Sequence, residues 1–133
     1  GHGNFTVPLA ARAAVLLAIE QDPAAVEACR ANLAARDFTT TRVLAGDAAK
    51  EVQRHGFDVL VLDPPRAGAR AVVEALPREG LDRIVYVSCD PPTLHRDTVL
   101  LRARGYVPVR ALALDMFPQT AHVETVALFV HAT

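Results

Sequence analysis

The sequence predicts an α/β fold: a mostly parallel sheet that closes with an antiparallel C-terminal hairpin. Three observations lead there. Strand-like and helix-like patterns alternate along the 133 residues, and such alternation packs helices on the faces of a parallel sheet. The last two strand-like runs are separated only by residues 115–122. That is too short for a crossover helix, so this pair is expected to be antiparallel. Several apolar runs end in chemistry-bearing side chains, Glu20, Asp63 and Cys89. Ligands of open α/β sheets gather beyond the carboxyl ends of the strands, so these three residues are expected along one carboxyl edge.

The elements follow in order. A first helix is expected over residues 6–16, with a short strand over 15–20 overlapping its end. Asp22-Pro23 supplies a capping acid and a first-turn proline for a helix over 23–36. In it Val26, Cys29, Arg30 and Leu33 recur at helical spacing, and Cys29 reads as a small packing residue. A strand over 41–44 ends at Ala45-Gly46-Asp47, and a short helix over 48–55 follows. The strand over 57–62 runs into Asp63-Pro64-Pro65-Arg66 and a helix over 69–76. The β-branched run over 84–87 leads to Cys89, then a helix over 93–104 stops at Gly105, a natural C-terminal cap. Runs over 106–114 and 123–130 form the final strands.

The net charge of −1 gives no global pull toward nucleic acid. Lys50 is the only lysine beside 13 arginines. Arginine suits bidentate phosphate contacts, but a compositional bias, visible also in the many alanines, accounts for it better. Cys29 and Cys89 make no disulfide framework, which fits a reducing, cytoplasmic setting. No apolar run approaches the ~20 residues needed to span a bilayer, and no metal site is expected. Gly1-His2-Gly3-Asn4 reads as the middle of a motif, so the chain is expected to be one domain, residues 1–133, excised from a longer protein.

Each motif has two readings. Gly1, Gly3, Asn4, Phe5 and Thr6 form a glycine loop entering a helix, where free N–H groups attract negative charge. Three residues of pattern are weak support for that. Glu20, 17 residues beyond Gly3, suits ribose hydroxyls at a strand end, or is surface decoration. Asp47 is placed to approach an adenine ring, or caps the next helix. Asp63-Pro64-Pro65-Arg66 makes a rigid loop; where amine-methylating enzymes have a stacking aromatic, Arg66 stands instead. Cys89 is a candidate nucleophile or a buried apolar thiol. Glu124 is a candidate general base or an outward charge at a strand entrance, and His122 a candidate substrate contact or a solvated loop residue.

Taken in order, Gly3-Asn4-Phe5-Thr6, Glu20, Asp63-Pro64-Pro65-Arg66-Ala67-Gly68, Val85 to Pro91 with Ser88-Cys89-Asp90 at its centre, Leu94-x-Arg96-Asp97 and the segment from Asp115 through His122 to Glu124 closely resemble the catalytic domain of the RNA 5-methyluridine methyltransferases. The resemblance spans nearly the whole chain and is most specific in the segments around Cys89 and Glu124. It implies a Rossmann-like, S-adenosyl-L-methionine-dependent fold acting on tRNA or rRNA. It implies Cys89 as the nucleophile on uracil carbon 6 and Glu124 as the base that removes the carbon 5 proton. Gly1, Gly3, Asn4, Phe5, Thr6, Glu20, Asp47 and Asp63 would hold the cofactor, and Asp63, Arg66 and His122 the substrate. The family has one further strand before the glycine loop and an RNA-binding region N-terminal to that, so the first strand is expected to be missing here. A fragment lacking it is expected to bind cofactor weakly. The competing readings are an RNA 5-methylcytosine methyltransferase, which also forms a Cys adduct, and an inactive nucleotide-binding fragment.

Overall fold

A computed structural model of the chain describes residues 1–116, 119 and 123–132. His122 lies outside the described residues. The chain divides into two compact units, Gly1–Glu51 and Val52–Thr133.

The first unit holds α1 (Thr6–Ala10), β1 (Leu17–Glu20), α2 (Pro23–Ala34), β2 (Arg42–Ala45) and α3 (Ala48–Glu51). β1 and β2 pair in parallel, from Leu17 opposite Arg42 to Glu20 opposite Ala45. Asp22 caps α2, its carboxylate accepting from the N–H groups of Ala24 and Ala25 at 3.1 and 3.3 Å. The helix buries Ala25, Val26, Cys29 and Leu33, whereas Arg30, expected on the same stripe, is exposed and donates to the Val43 carbonyl at 2.9 Å; Cys29 is a packing residue as expected. Two expected helices are shorter than their patterns. α1 stops at Ala10 rather than at residue 16, because Leu16 is drawn into strand pairing, its carbonyl accepting from Arg42 N–H at 3.0 Å. So short a helix has little stability of its own to resist that pull. α3 stops at Glu51 rather than at residue 55, and the chain turns there so that Val52 enters the core of the second unit.

The second unit holds β3 (Val59–Leu62), α4 (Arg70–Glu74), β4 (Arg83–Ser88), α5 (Pro91–Ala103), β5 (Tyr106–Leu114) and β6 (Glu124–His131). Its sheet has the order β3-β4-β6-β5. β3 and β4 are parallel, and β6 runs against both β4 and β5. The antiparallel hairpin is thus present as expected. Its placement is not a property of the pattern: β6 inserts between β4 and β5 instead of adding to the outside. β6 consequently has partners on both edges and buries Ala127 and Phe129. β5 becomes an edge strand, exposed at Val109 and Leu112. Its ladder shifts register between Pro108 and Arg110, and an edge is where a sheet tolerates a residue without an N–H. Gly105 follows α5 with φ +88, a left-handed turn that ends the helix. Among the described residues no helix is long and apolar enough to cross a membrane.

Candidate active site

Three expected site residues meet at one edge of the second unit. β3 and β4 run the same way, with Leu62 opposite Tyr86. Asp63 and Cys89, which follow them, therefore emerge at the same carboxyl edge. β6 runs the other way, so it begins at that edge, with Glu124. The β4–β6 ladder ends with Ser88 opposite Thr125. Cys89 follows that last pair on one strand and Glu124 precedes it on the other, so both lie at this end of the ladder. Both residues are half-buried. Glu20 ends β1 in the first unit, at the carboxyl edge of its own sheet.

The turn after Cys89 is held locally. Ser88 Oγ donates to the Asp90 carbonyl and accepts from the Asp90 N–H, both at 3.1 Å. The Asp90 carboxylate accepts from Thr93 N–H at 2.9 Å and caps α5. The helix begins at Pro91, two residues earlier than its pattern predicts. Proline lacks the N–H that a first turn leaves unpaired anyway, so Pro91-Pro92 sit comfortably there. Asp63 keeps solvent access, yet desolvation by the surrounding chain pushes its carboxyl above the ordinary value. Arg66 is exposed on the loop that follows.

Beneath this loop lies a buried polar cluster to which the sequence reading assigned no role. Asp97 on α5 and Tyr86 on β4 are both fully buried. The Tyr86 hydroxyl donates to Asp97 Oδ2 at 2.6 Å, and the Ala69 N–H donates to the same oxygen at 2.7 Å. Arg96 Nε donates to Asp97 Oδ1 at 2.8 Å, while Arg96 Nη2 donates to the Ala67 carbonyl at 2.8 Å. A buried carboxylate survives only with partners of this kind. Gly68, between the two tethered residues, has φ +80. A Cβ there would lie 2.4 Å from Arg96 Nη2 and 2.6 Å from Asp97 Oδ2. A signal for the cluster exists in the sequence: Leu94, Asp97 and Leu101 share one helix stripe, so an acid falls on an apolar face.

Burial, reinforced by the Asp97 hydrogen bond, pushes the Tyr86 phenol well above its ordinary value. The folded protein holds this proton more tightly than the unfolded chain does. Its contribution is complete below the ordinary tyrosine value, about 10, and is lost as pH rises beyond it. Urea midpoints measured from pH 8 to 11 should fall above pH ~10, and fall less steeply in Tyr86→Phe. An equal slope in both proteins would remove Tyr86 as the cause.

The expected cofactor residues lie in the first unit, except Asp63. Gly3 is buried with φ +98, and a Cβ there would lie 3.1 Å from Cys29 Sγ. Its glycine is thus explained by backbone conformation and packing. The helix that follows the loop, α1, has five residues. Phe5 and Asn4 are exposed, and Thr6 half-buried. Glu20 Oε1 accepts from the N–H groups of Gln21 and Asp22 at 2.6 and 2.8 Å, and Oε2 accepts from the Gly1 amino group. Asp47 caps α3 through the Ala49 N–H at 2.9 Å.

A family model for tRNA (uracil-5-)-methyltransferases matches residues 1–132. The chain belongs to the tRNA (uracil-5-)-methyltransferase family. It is 47% identical over 134 residues to the 23S rRNA (uracil(1939)-C(5))-methyltransferase RlmD of Pseudomonas entomophila, covering 97% of this chain and 30% of that protein. The enzyme of the same name from Pseudomonas fluorescens is 46% identical, over 97% of this chain and 29% of that protein. The crystal structure of Pyrococcus abyssi tRNA (uracil-54, C5)-methyltransferase, in complex with S-adenosyl-L-homocysteine, superposes with a TM-score of 0.86 at 38% identity. It covers 98% of this chain and 32% of that one. This chain therefore spans under a third of the length of each of these three proteins. Membership in the family accounts for the α/β architecture and for the order of the motifs from Gly3 to Glu124.

Proposed function

We propose that residues 1–133 are the catalytic part of a longer enzyme that methylates carbon 5 of a uridine in tRNA or ribosomal RNA, using S-adenosyl-L-methionine and a covalent adduct to Cys89. The observation that carries this reading is the β4–β6 ladder, whose last pair, Ser88 opposite Thr125, is flanked in the chain by Cys89 and Glu124 at the carboxyl edge. The named activities of the relatives support it.

The chemistry needs both groups. Carbon 5 of uracil is a poor nucleophile. Addition of the Cys89 thiolate to carbon 6 forms an S–C bond and moves an electron pair toward carbon 5 as an enolate. When bound, S-adenosyl-L-methionine would supply an electrophilic methyl group to that carbon, its S–C bond breaking to leave the neutral thioether S-adenosyl-L-homocysteine. The Glu124 carboxylate then accepts the proton from carbon 5. The electron pair left behind restores the double bond and expels Cys89 as thiolate. Asp63 and Arg66 line the edge beside Cys89 and suit contacts to the uracil ring. An ionised Glu20 at the end of β1 suits the hydroxyls of a ribose, and the exposed ring of Phe5 offers an apolar face. These features fit the cofactor. The base must be splayed out of its stack to reach the thiol. RNA binding is assigned largely to a region N-terminal to this segment.

The test uses full-length protein, S-adenosyl-L-methionine and RNA carrying 5-fluorouridine, which has no carbon 5 proton to lose. Digestion and mass spectrometry should find Cys89 linked to a methylated fluorouridine. Trapping with 5-fluorocytidine RNA instead would assign a cytosine enzyme, and no adduct with either would leave Cys89 a packing residue.

A further inference from the structure

We infer that Asp97, through Arg96 and Tyr86, is a positioning residue that sets the substrate loop 63–69 against Cys89; this rests on the methyltransferase reading above. Asp97 touches no reacting atom. It acts through the backbone it holds. The Ala69 N–H is fixed by Asp97 Oδ2 at 2.7 Å, and the Ala67 carbonyl by Arg96 Nη2 at 2.8 Å. Between them the Gly68 N–H closes a turn onto the Pro65 carbonyl at 2.8 Å. Every residue from Pro65 to Ala69 except Arg66 is thus tied through its backbone, and Arg66 is the exposed side chain the turn presents.

The anchors of this clamp flank the nucleophile on both sides in the chain. Tyr86 lies three residues before Cys89 on β4, and Arg96 and Asp97 lie on α5, the helix that starts two residues after it. The cluster therefore joins the loop carrying Asp63 and Arg66 to the two elements that carry the thiol. A displacement on the order of 1 Å in such a loop costs up to ~10²-fold in rate. The geometry of Arg96 is specific, because one fork serves both Asp97 and the Ala67 carbonyl. A lysine has a single point charge and cannot hold both in that geometry. Stability alone would be served more simply by apolar packing, since buried charged pairs are often replaceable without loss of stability.

Asp97→Asn and Arg96→Lys should be compared with the parent in the full-length enzyme, with active sites titrated by 5-fluorouridine RNA. Per titrated site, both variants should methylate RNA with kcat lowered roughly 10- to 100-fold, while the KM for S-adenosyl-L-methionine stays within about twofold of the parent value. The Ala69 amide, whose N–H Asp97 accepts, should exchange its hydrogen faster in Asp97→Asn. A merely structural role would lower the melting temperature and the titratable fraction but leave kcat per site unchanged, and that result overturns the inference. Should Asp97→Asn fail to fold, Arg96→Lys decides alone, because its side chain is partly exposed and its loss leaves Tyr86 and Ala69 on Asp97. A parent enzyme that forms no adduct indicts the methyltransferase reading instead, and the exchange rate at Ala69 then still reports whether the clamp holds the loop.

Discussion

Glu124→Gln in the full-length enzyme should accumulate a methylated covalent complex between protein and RNA, and Cys89→Ala should form none. Glutamine keeps the shape and hydrogen bonding of the side chain but is a far weaker base. Attack at carbon 6 and methylation at carbon 5 remain open to this variant, while removal of the carbon 5 proton stalls. Loss of a positioned base typically costs ~10²–10⁴-fold in rate, enough for the intermediate to persist on a denaturing gel. Among the described residues Cys89→Ala removes the only thiol of the second unit, since Cys29 is buried in the core of the first. Both adduct and product should then vanish. Turnover of Glu124→Gln at the parent rate would make Glu124 a strand-entrance charge and send the search for the base to other residues of the edge, Asp63 first.

Gly68→Ala should be among the most destabilising single-methyl changes available to the second unit, at roughly 3 kcal/mol or more. Two causes add. The left-handed backbone at φ +80 disfavours any side chain. The new methyl would also lie 2.6 Å from Asp97 Oδ2, an oxygen locked by Tyr86 and Ala69 and unable to retreat. Gly105→Ala is the informative comparison. Its φ of +88 carries the same conformational cost, but the nearest atom is His131 Nε2 at 3.0 Å, on a side chain near the surface. A loss of about 1–2 kcal/mol is expected there. Urea midpoints at constant slope measure both. Equal losses at the two glycines would mean that the Asp97 cluster yields easily, contrary to its burial.

The resemblance carried by the motifs points to the family, and the gathering of Cys89, Asp63 and Glu124 at one edge is readable because each ends or begins an apolar run. The limits of legibility lie in particular residues. The pattern over residues 6–16 is helical, yet the helix stops at Ala10 because Leu16 has a strand partner 26 positions away at Arg42. Prolines 91 and 92 read as a break before the helix but are its first turn. Asp97 shows locally only as an acid on the apolar stripe of Leu94 and Leu101; its partners Tyr86 and Ala69 lie on other elements and leave no local trace.

The sequence by itself determined the α/β class, the alternation of elements and the antiparallel final pair, since all of these follow from periodicity, turn residues and the length of one connection. Only the tertiary structure decided that β6 enters between β4 and β5, and this insertion is what brings the start of β6, at Glu124, to the end of β4 that precedes Cys89. It likewise decided that Tyr86, Arg96 and Asp97 converge on Ala67 and Ala69. Strand order and buried polar pairing depend on residues far apart in the chain, and a local pattern of apolar and polar residues is the same whichever neighbour a strand takes.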